Sequence, residues 1–512
     1  MKYKLTLLSH LILSLLIILI ISSNSEAESK YRHILQNRRE AEKLINLTAL
    51  EEAGIIDTSM ISIYINDREP LIRLRCAEVL GRVQSKAGTP FLRQLLSDSD
   101  KDVVSEALFA LGLIGDPSSV GAIISCARSN TIEVKKEAIL ALGRIGSENV
   151  KEFLVEQLSN FNPSIRAISC YALALSRDSL SAIRCISLLT DPSSKVLQAS
   201  LYALGRLKVK GGEAHIVELL GHGESMVRLR AVEALGRLKF KKAVSAISLL
   251  ATHDKDRMVK IKATEALSRI GTKEAIKTLV KLTDSDDPYI QTVALNGIAG
   301  AKKSSLYKQI LHCMESPSAM VRRACLKALV ETGGRKALDI VRKTIKEQTP
   351  LEKMSACELL GRIGKRSDLE FLIKTLLHSR GHFLREGAGA GIGNWKKFSE
   401  LSRVFEIESI GEKMSALDAL SICSADPDWV VATISVESLG KILSKKDAEN
   451  NYREVTVNRF LNIFKTRTSR LDGDLRLAIC EATKKIEEAA QGKGAVRDKA
   501  IELLRLGARD PD

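Results

Sequence analysis

Apolar side chains recur along most of this chain in a pattern twelve residues long, and residues 227–238 are its clearest copy. With Val227 as position zero, positions 0, 4, 7, 8 and 11 fall on one side of a helix that turns by about 100° per residue. The pattern therefore predicts an amphipathic helix with one buried face. A short turn and a second apolar segment, here residues 243–251, come next. Each copy thus predicts a pair of helices.

The pattern returns every 31 or 32 residues, and its position-zero residues are Ile72, Val103, Val134, Ile165, Val196, Val227, Val259, Ile290, Val321, Glu352 and Leu384. Position four is small and position eight is aliphatic in all eleven copies, and position nine is glycine in seven of them. Because glycine disfavours a helix, its recurrence indicates either a close approach of two backbones or a helix end. A fixed period with size-specific positions is typical of repeat proteins. We therefore predict an all-α fold, a right-handed α-solenoid of about eleven regular 31-residue helix–turn–helix repeats with irregular helical caps.

The phase of the pattern divides the chain into segments. Residues 71–395 hold the regular array. Residues 28–70 are out of phase with it, as expected of an N-terminal helical cap that covers one end of a stacked core. Beyond Trp395 the spacing becomes irregular, so residues 396–512 are predicted to form irregular helical repeats and a C-terminal cap.

Residues 1–27 have the form of a secretory signal peptide. Lys2 and Lys4 precede an apolar run at residues 5–21, and the small residues Ser25 and Ala27 stand where a signal peptidase requires them. We expect cleavage and export to the periplasm or cell envelope. The run approaches the length of a membrane span, so an uncleaved inner-membrane anchor at residues 5–21 is the alternative.

The chain carries a formal net charge of +16, with 78 basic against 62 acidic residues, which favours anionic partners. Basic residues gather in the turn inside each repeat, and the set that we call the basic edge is Lys239, Lys241, Lys242, Lys302, Lys303, Arg335, Lys336, Lys365, Arg366, Lys396 and Lys397. The loops between repeats are acidic instead, because aspartate there caps the next helix and suits its dipole. In the basic turns the dipole effects of two helices should largely cancel. The basic edge is therefore either plain solvated surface or a binding edge for an anionic partner.

Motifs with catalytic or metal-binding chemistry find no support in the sequence. The run at residues 387–393 contains four glycines and has the composition of a phosphate-binding loop. It lies in phase with the helix pattern, however, and so predicts tight helix packing rather than a loop with free amide groups. The nine cysteines form no Cys-x-x-Cys pair and have no histidine at metal-ligand spacing. We predict no catalytic residue, no metal site and no cofactor.

The cysteines are expected to act mainly as small buried apolar residues. Equivalent positions in neighbouring repeats should lie roughly 8–10 Å apart, which is too far for a disulfide. A pair across one helical hairpin, such as Cys170 with Cys185, stays open.

Three sequence features recur in the repeats: an aspartate-rich loop, a Val-Arg-x-x-Ala core, and Ala-Leu-Gly-Arg followed by leucine or isoleucine. Asp256 is an example of the first feature, and residues 228–238 contain the other two. Through them the chain resembles the HEAT-like repeat over about residues 72–393, especially the short bacterial variety first associated with phycobilisome lyases. The resemblance implies an α-solenoid that binds partners, since only a few members of the family catalyse a reaction. The His-Glu dipeptides of the catalytic HEAT-like hydroxylases are absent from this sequence.

We expect an exported, non-catalytic HEAT-repeat scaffold that mediates protein–protein interaction in the bacterial envelope, with acidic partners if the basic edge binds them. No nucleic acid is expected, and a membrane only if the N-terminal segment stays uncleaved. One alternative is a nucleic-acid-binding solenoid like the HEAT-like DNA glycosylases. The predicted signal peptide and the lack of stacking aromatic residues in the array argue against this alternative. The other is a phycobilin-lyase-like enzyme, whose cytoplasmic location would conflict with export.

Overall fold

The computed structural model of the protein describes residues 38–128, 131–407, 412–445, 447–466, 473–490 and 495–507. The predicted signal peptide, or membrane anchor, lies outside these residues. Across the described ranges, nearly every element is a helix, and none of the helices is long and apolar enough to cross a membrane. The chain separates into two compact units, Met1–Ala246 and Ile247–Asp512, which we call the amino-terminal and carboxy-terminal units.

The amino-terminal unit begins with the helices Arg38–Ala53 and Thr58–Tyr64, in the segment predicted to form a cap. Helices on the repeat pattern follow, and we call them first helices: Pro70–Val83, Lys101–Ile114, Ile132–Ile145, Pro163–Leu175, Ser194–Leu207 and Ser225–Leu238. A second helical segment, part α and part 3-10, completes each hairpin: Lys86–Gly88 and Thr89–Leu95, Pro117–Ser119 and Val120–Ala127, Glu148–Glu156 and Gln157–Ser159, Ser179–Ala182 and Ile183–Thr190, Glu213–Glu218 and Leu219–Gly221, Lys241–Ala243 and Val244–His253. The division between the units falls inside the last of these.

The carboxy-terminal unit continues the same alternation. Its first helices are Arg257–Ile270, Pro288–Ala301, Ala319–Gly333, Pro350–Ile363 and His382–Gly393. The second segments are Lys273–Leu282, the 3-10 segment Ser304–Glu315, Gly334–Ala337 with Leu338–Glu347, Arg366–His378 and Phe398–Leu401. The helices Ala416–Cys423, Trp429–Leu443, Asn450–Thr466, Gly473–Ala489 and Ala495–Gly507 complete the unit.

One element departs from the all-helical prediction. Phe405–Ile407 and Glu412–Met414 form an antiparallel two-stranded ribbon in which Phe405 pairs with Met414. Both of these side chains are buried. The pairing satisfies backbone groups in a segment where the sequence has no helical period.

The predicted apolar face of each first helix is its buried face. Val196 and Val227 at position zero and Leu204 at position eight have no exposed surface. Within each unit, consecutive first helices pack on each other, and Trp429–Leu443 and Gly473–Ala489 continue this stacking beyond the regular pattern. The protein is therefore an all-α solenoid, in which each repeat buries its apolar stripe against its neighbours.

Position nine is the point of closest approach between consecutive first helices. A β-carbon added to Gly143 would lie 2.6 Å from both the Cα and the backbone oxygen of Ala172, in the next first helix. Gly205 faces Ala234 in the same way, at 2.8 Å from its Cα. Close backbone approach, one of the two causes suggested by the sequence, is therefore correct at these positions, because any side chain would overlap the neighbouring helix.

The glycine-rich run at residues 387–393 is helical, as its phase predicts, and lies in His382–Gly393. A β-carbon at Gly387 would lie 2.5 Å from the backbone oxygen of Met354, in the preceding first helix. Amide groups inside a helix are already hydrogen-bonded and cannot hold a phosphate. The run thus serves tight helix packing.

An arginine at position one of several first helices links three segments of the chain. Arg166 donates hydrogen bonds from Nε and Nη2 to Asp191, at 2.7 and 2.9 Å, and from Nη1 to two backbone oxygens in the loop before its helix. Burial alone would raise the pKa of Asp191, but hydrogen bonds from Arg166 and from the backbone amide of Ser193 hold that pKa below its ordinary value. The same paired arrangement joins Arg73 to Asp98 and Arg322 to Glu352.

We predict opposite effects of one substitution at two helical glycines. Gly143→Ala should lower the free energy of unfolding by roughly 1–3 kcal/mol, because the new β-carbon overlaps the next helix. Gly121→Ala should raise it by up to about 1 kcal/mol, because nothing lies within 4 Å of the added carbon and alanine favours a helix. Urea denaturation followed by circular dichroism measures both. Stabilisation at both positions would contradict close packing at position nine.

We predict that the Arg166–Asp191 pair stabilises the fold at neutral but not at acid pH. Asp191→Asn should lower the free energy of unfolding by roughly 2 kcal/mol at neutral pH. Because the pKa of Asp191 is lowered in the folded state, its stabilisation is present above the ordinary carboxyl pKa of about 4 and is lost as the pH falls through the lower folded value.

Urea titrations of parent and variant at about pH 7 and about pH 2 should therefore show a difference that shrinks in acid. Asp286→Asn, at an exposed loop residue, is the control and should change little at either pH. If the free energy of unfolding of Asp191→Asn stayed below that of the parent in acid, the effect would come from packing rather than from charge.

Candidate partner-binding surfaces

The turn inside each repeat often begins with a residue in the left-handed conformation. Glycine occupies this place at Gly115, Gly146 and Gly271, whereas lysine occupies it at Lys239 and Lys302, with φ of 52° and 51°. Such a residue ends a helix, and residues other than glycine adopt it at a cost. A lysine there also interacts favourably with the negative end of the helix dipole. Part of the basic edge thus lies where first helices end, and the expectation that dipole effects largely cancel in these turns stays a prediction.

All eleven residues of the basic edge are exposed. Three belong to the amino-terminal unit and eight to the carboxy-terminal unit. In the described part of the chain, two of them form ion pairs, Lys302 with Glu331 at 4.0 Å and Lys397 with Glu400 at 3.2 Å, and Arg366 lies over an aromatic ring. Their role in binding stays a prediction.

The acidic loops between repeats are accounted for by the fold. Asp100, Asp256 and Asp287 each precede a first helix and accept hydrogen bonds from backbone amides in its first turn. Asp98 and Asp191 pair with position-one arginines. Capping, the cause expected from the sequence, is confirmed, and the arginine pairs add a structural role that the sequence argument missed.

Exposed apolar side chains recur in the carboxy-terminal unit at a place that the twelve-residue pattern leaves out. The residue just before position zero is Met258, Tyr289, Met320 and Leu351 in four consecutive repeats, and we call these four the apolar row. Their exposed fractions are 48, 45, 42 and 44%. In the amino-terminal unit the same place holds Leu71, which is buried, and Met226, which is 45% exposed. In the four repeats between them it holds polar residues, namely Asp102, Glu133, Ser164 and Lys195. An apolar side chain is therefore not required there by the fold.

A cleft of about 370 Å³ adjoins the apolar row across three consecutive first helices. Met320 lines it together with the cationic side chains of Arg323, Lys327 and Arg362. Arg362 pairs with Glu331 at 2.6 Å, whereas the exposed Lys327 forms no ion pair with the residues that the structure describes. The cleft thus places cationic groups next to apolar surface.

A second cleft, of about 320 Å³, follows on the same surface of the carboxy-terminal unit. The glycine-rich helix lines it, together with the three acidic residues Glu358, Glu386 and Glu437 and one cationic residue, Lys441. Burial raises the pKa of Glu386 above its ordinary value. Because Glu358 lines both clefts, this surface changes from cationic to acidic along successive repeats.

First helices of the amino-terminal unit bring two aromatic rings into contact. The ring centroids of Tyr171 and Tyr202 are 5.3 Å apart with the rings tilted by 52°, and Arg206 and Arg230 lie over the Tyr202 ring at 5.9 and 5.7 Å. These rings contact side chains of the same chain, and the expected lack of aromatic residues that stack on nucleic-acid bases stays a prediction.

A curated relative of the chain is an enzyme. A stretch of 151 residues, 28% of this chain, is 27% identical to deoxyhypusine hydroxylase from Saccharomyces cerevisiae and spans 46% of that protein, less than half of its length. The residues described in this chain contain no group of three histidine, cysteine or acidic side chains placed to hold a metal ion.

A solved structure of yeast importin-β shares the stacked-helix architecture of this chain. Yeast importin-β (Kap95p) is 13% identical, with a TM-score of 0.59, and the match covers 94% of this chain and 77% of that one. The complex of CpcE and CpcF of phycocyanin lyase from Nostoc sp. PCC7120 is 19% identical, with a TM-score of 0.26 and coverage of 50% and 92%.

A family model described as HEAT repeats matches residues 58–132, 89–174, 213–299 and 304–393. Together these ranges cover more than half of the 512 residues. The repeated helix pairs, the buried small residues and the close contact at position nine lie in the matched ranges. The chain therefore belongs to the HEAT repeat family.

Proposed function

We propose that this protein is a non-catalytic scaffold that binds a partner protein through the exposed surface of its carboxy-terminal unit. The apolar row carries the proposal. A single exposed apolar residue is ordinary on a protein surface, but four at the same place in consecutive repeats form a patch of the kind that marks interaction sites. Methionine and aromatic residues, which make up three of the four, are enriched in protein interfaces.

The spacing of the row suits an extended segment of the partner. Packed helices lie about 8–10 Å apart, and a segment in the extended polyproline II conformation advances by about 3.1 Å per residue, with three residues per turn. Every third side chain of such a segment would therefore meet the next member of the row. Solenoids commonly bind partners along surfaces of this kind, through many modest contacts.

The cationic cleft and the basic edge favour acidic side chains in that segment. Lys327 and Arg323 stand beside Met320 in the cleft, so an acidic residue next to an apolar one would satisfy both surfaces. Charge complementarity of this kind mainly raises association rates and excludes wrong partners. The net charge of +16 acts in the same direction.

We further propose that the protein works outside the cytoplasm, in the periplasm or cell envelope. Lys2 and Lys4, the apolar run at residues 5–21, and Ser25 and Ala27 support this proposal. An exported location favours a protein partner over nucleic acid.

We predict that partner capture depends on the apolar row and, more weakly, on the basic edge. Met320→Ser with Leu351→Ser should reduce the affinity roughly 30-fold, because about 2 kcal/mol of apolar burial is lost. Lys302→Gly with Lys303→Ala should reduce it about five-fold while raising thermal stability, because glycine suits the left-handed conformation of Lys302. Affinity purification from envelope fractions, followed by quantitative binding of the captured protein, measures these changes.

Two matched controls separate specific from general effects. Leu311→Ser removes an apolar side chain of similar exposure, 41%, from a second helical segment. Lys277→Ala with Lys346→Ala removes two exposed charges outside the turns. If the apolar-row variant bound the partner as tightly as the parent, the apolar row would not be the binding surface. If both lysine pairs lowered the affinity equally, the basic edge would act only through net charge.

We predict that the mature protein begins at residue 28 and is recovered in the periplasmic or envelope fraction. Amino-terminal sequencing of the fractionated protein measures both properties. An intact amino terminus in the membrane fraction would favour the anchor at residues 5–21, and an intact amino terminus in the cytosol would reject export.

A further inference from the structure

Two pairs of cysteine side chains are neighbours, one in each unit. In the carboxy-terminal unit, the Sγ of Cys325 lies 3.2 Å from the backbone oxygen of Ile310, one turn before Cys313. Within each pair one thiol shifts the pKa of the other: Cys185 raises the pKa of Cys170, and Cys325 lowers the pKa of Cys313. All four are free thiols, and all are buried. The first pair is the hairpin pair that the sequence left open. The second joins two successive repeats, which sequence positions alone do not reveal.

Cys313 has an imidazole beside it. Its Sγ lies 3.4 Å from Nε2 of His312, and the same nitrogen lies 2.9 Å from a carboxylate oxygen of Asp284. His312 and Asp284 are 50% and 69% exposed, so this arrangement lies at the surface although the sulfur itself is covered. When the imidazole is protonated, its Nε2–H is shared between the carboxylate and the sulfur, and a thiolate accepts such a bond better than a thiol.

Several neighbours stabilise the thiolate of Cys313. The neighbouring Cys325 side chain lowers the pKa of Cys313 most, and His312 and the hydroxyl of Thr283 add to this effect, against the opposing effects of burial and of Asp284. A thiolate next to a cationic imidazole is the reactive form of cysteine.

Cys325 is held where a second thiol would be needed. It lies in Ala319–Gly333, has no exposed surface, and its Sγ donates to the backbone oxygen of Ile310 at 3.2 Å. Ile310 and Cys313 belong to the same 3-10 segment, Ser304–Glu315. The fold therefore holds the Cys325 side chain against the segment that contains Cys313 without help from a mobile loop.

We propose that Cys313 and Cys325 form an oxidation site at which hydrogen peroxide converts the two thiols to a disulfide. The Cys313 thiolate attacks one peroxide oxygen, the O–O bond breaks, and the released hydroxide takes a proton to become water. Cys313 is now a sulfenic acid. The Cys325 sulfur then attacks the Cys313 sulfur, the S–O bond breaks, and the hydroxide leaves with the Cys325 proton as a second water. One peroxide is reduced and two thiols are oxidised.

The second cysteine pair provides a control inside the same molecule. Cys170 and Cys185 are also neighbours, but neither has exposed surface. Cys185, together with burial and with the nearby Asp191, raises the pKa of Cys170 far above its ordinary value. Because the thiolate is the nucleophile, this pair should resist peroxide as long as the protein is folded.

The disulfide would tie the second helical segment of one repeat to the first helix of the next. That first helix carries Met320 and part of the cationic cleft. Oxidation would therefore restrict the relative motion of two repeats next to the proposed partner surface. The oxidation site itself does not depend on the proposed scaffold function.

The folded, reduced full-length protein is treated with one equivalent of hydrogen peroxide, quenched with an alkylating reagent, digested with trypsin and analysed by mass spectrometry. The expected product is a cross-link between peptides 309–322 and 324–327, with the loss of two hydrogen atoms. Peptides 167–177 and 185–195, which contain Cys170 and Cys185, should be recovered alkylated.

Variants test the separate roles. Cys325→Ser should abolish the cross-link and leave a sulfenic acid on Cys313, which dimedone traps. His312→Asn, at an exposed residue, should slow oxidation of Cys313 several-fold without a change in circular dichroism. Cys185→Ser should leave both the cross-link and its rate unchanged.

Some outcomes would overturn the proposal. These are oxidation of Cys170 and Cys185 before the other pair, separate modification of Cys313 and Cys325 without a cross-link, or an unchanged rate in His312→Asn. If Cys325→Ser fails to fold, the His312 variant and the comparison of the two pairs still decide the matter. Partner capture is measured on the reduced protein, so failure of the oxidation site and failure of the scaffold function are distinguishable.

Discussion

The contact at position nine sets the distance between consecutive first helices, and much of the surface follows from it. Where Gly143 meets the backbone of Ala172, no side chain separates the two helices. Residues at one position in successive repeats therefore come close together, and a property repeated at that position becomes a continuous surface property. The same alignment brings an arginine of one repeat within reach of an acidic residue of the next loop, as in Arg166 and Asp191. Packing in the core thus decides which exposed side chains become neighbours.

The sequence predicts the core of this protein well because the core is where period and residue size act together. Val227 is buried at position zero, Gly143 marks a close approach, and the run at residues 387–393 is helical, all as its phase indicates. The ribbon at residues 405–414 escapes prediction because it arises where the period fails. The left-handed conformation of Lys239 escapes it for another reason: glycine signals such a turn and lysine does not. The residues of the basic edge are exposed, as the sequence indicates. Exposure by itself does not distinguish a binding surface from a solvated one.

Exposed features are harder to predict than buried ones, and the two surfaces described here show why. The apolar row was present in the sequence as a large apolar residue before position zero. A pattern built on buried positions does not include it, and only exposure distinguishes Met320 from a core residue. Cys313 and Cys325 escaped for a related reason. They occupy different positions in successive repeats, so a comparison of equivalent positions does not place them together. The packing of Ala319–Gly333 on Ser304–Glu315 brings them together instead.

Differences between repeats therefore say more about function than their similarities do. Positions four and eight hold the same kind of residue in both units, and position zero does so except at Glu352, because every repeat must stack. The place before position zero is free of that demand, since Asp102 and Lys195 are tolerated there as well as Met258 and Leu351. A change from polar to large apolar residues at such a place, maintained over four consecutive repeats, leaves apolar surface in water and lowers solubility. An interaction that covers this surface supplies a physical reason for it. For this reason we look for partner recognition on the exposed surface of the carboxy-terminal unit and not in the buried positions that all repeats share.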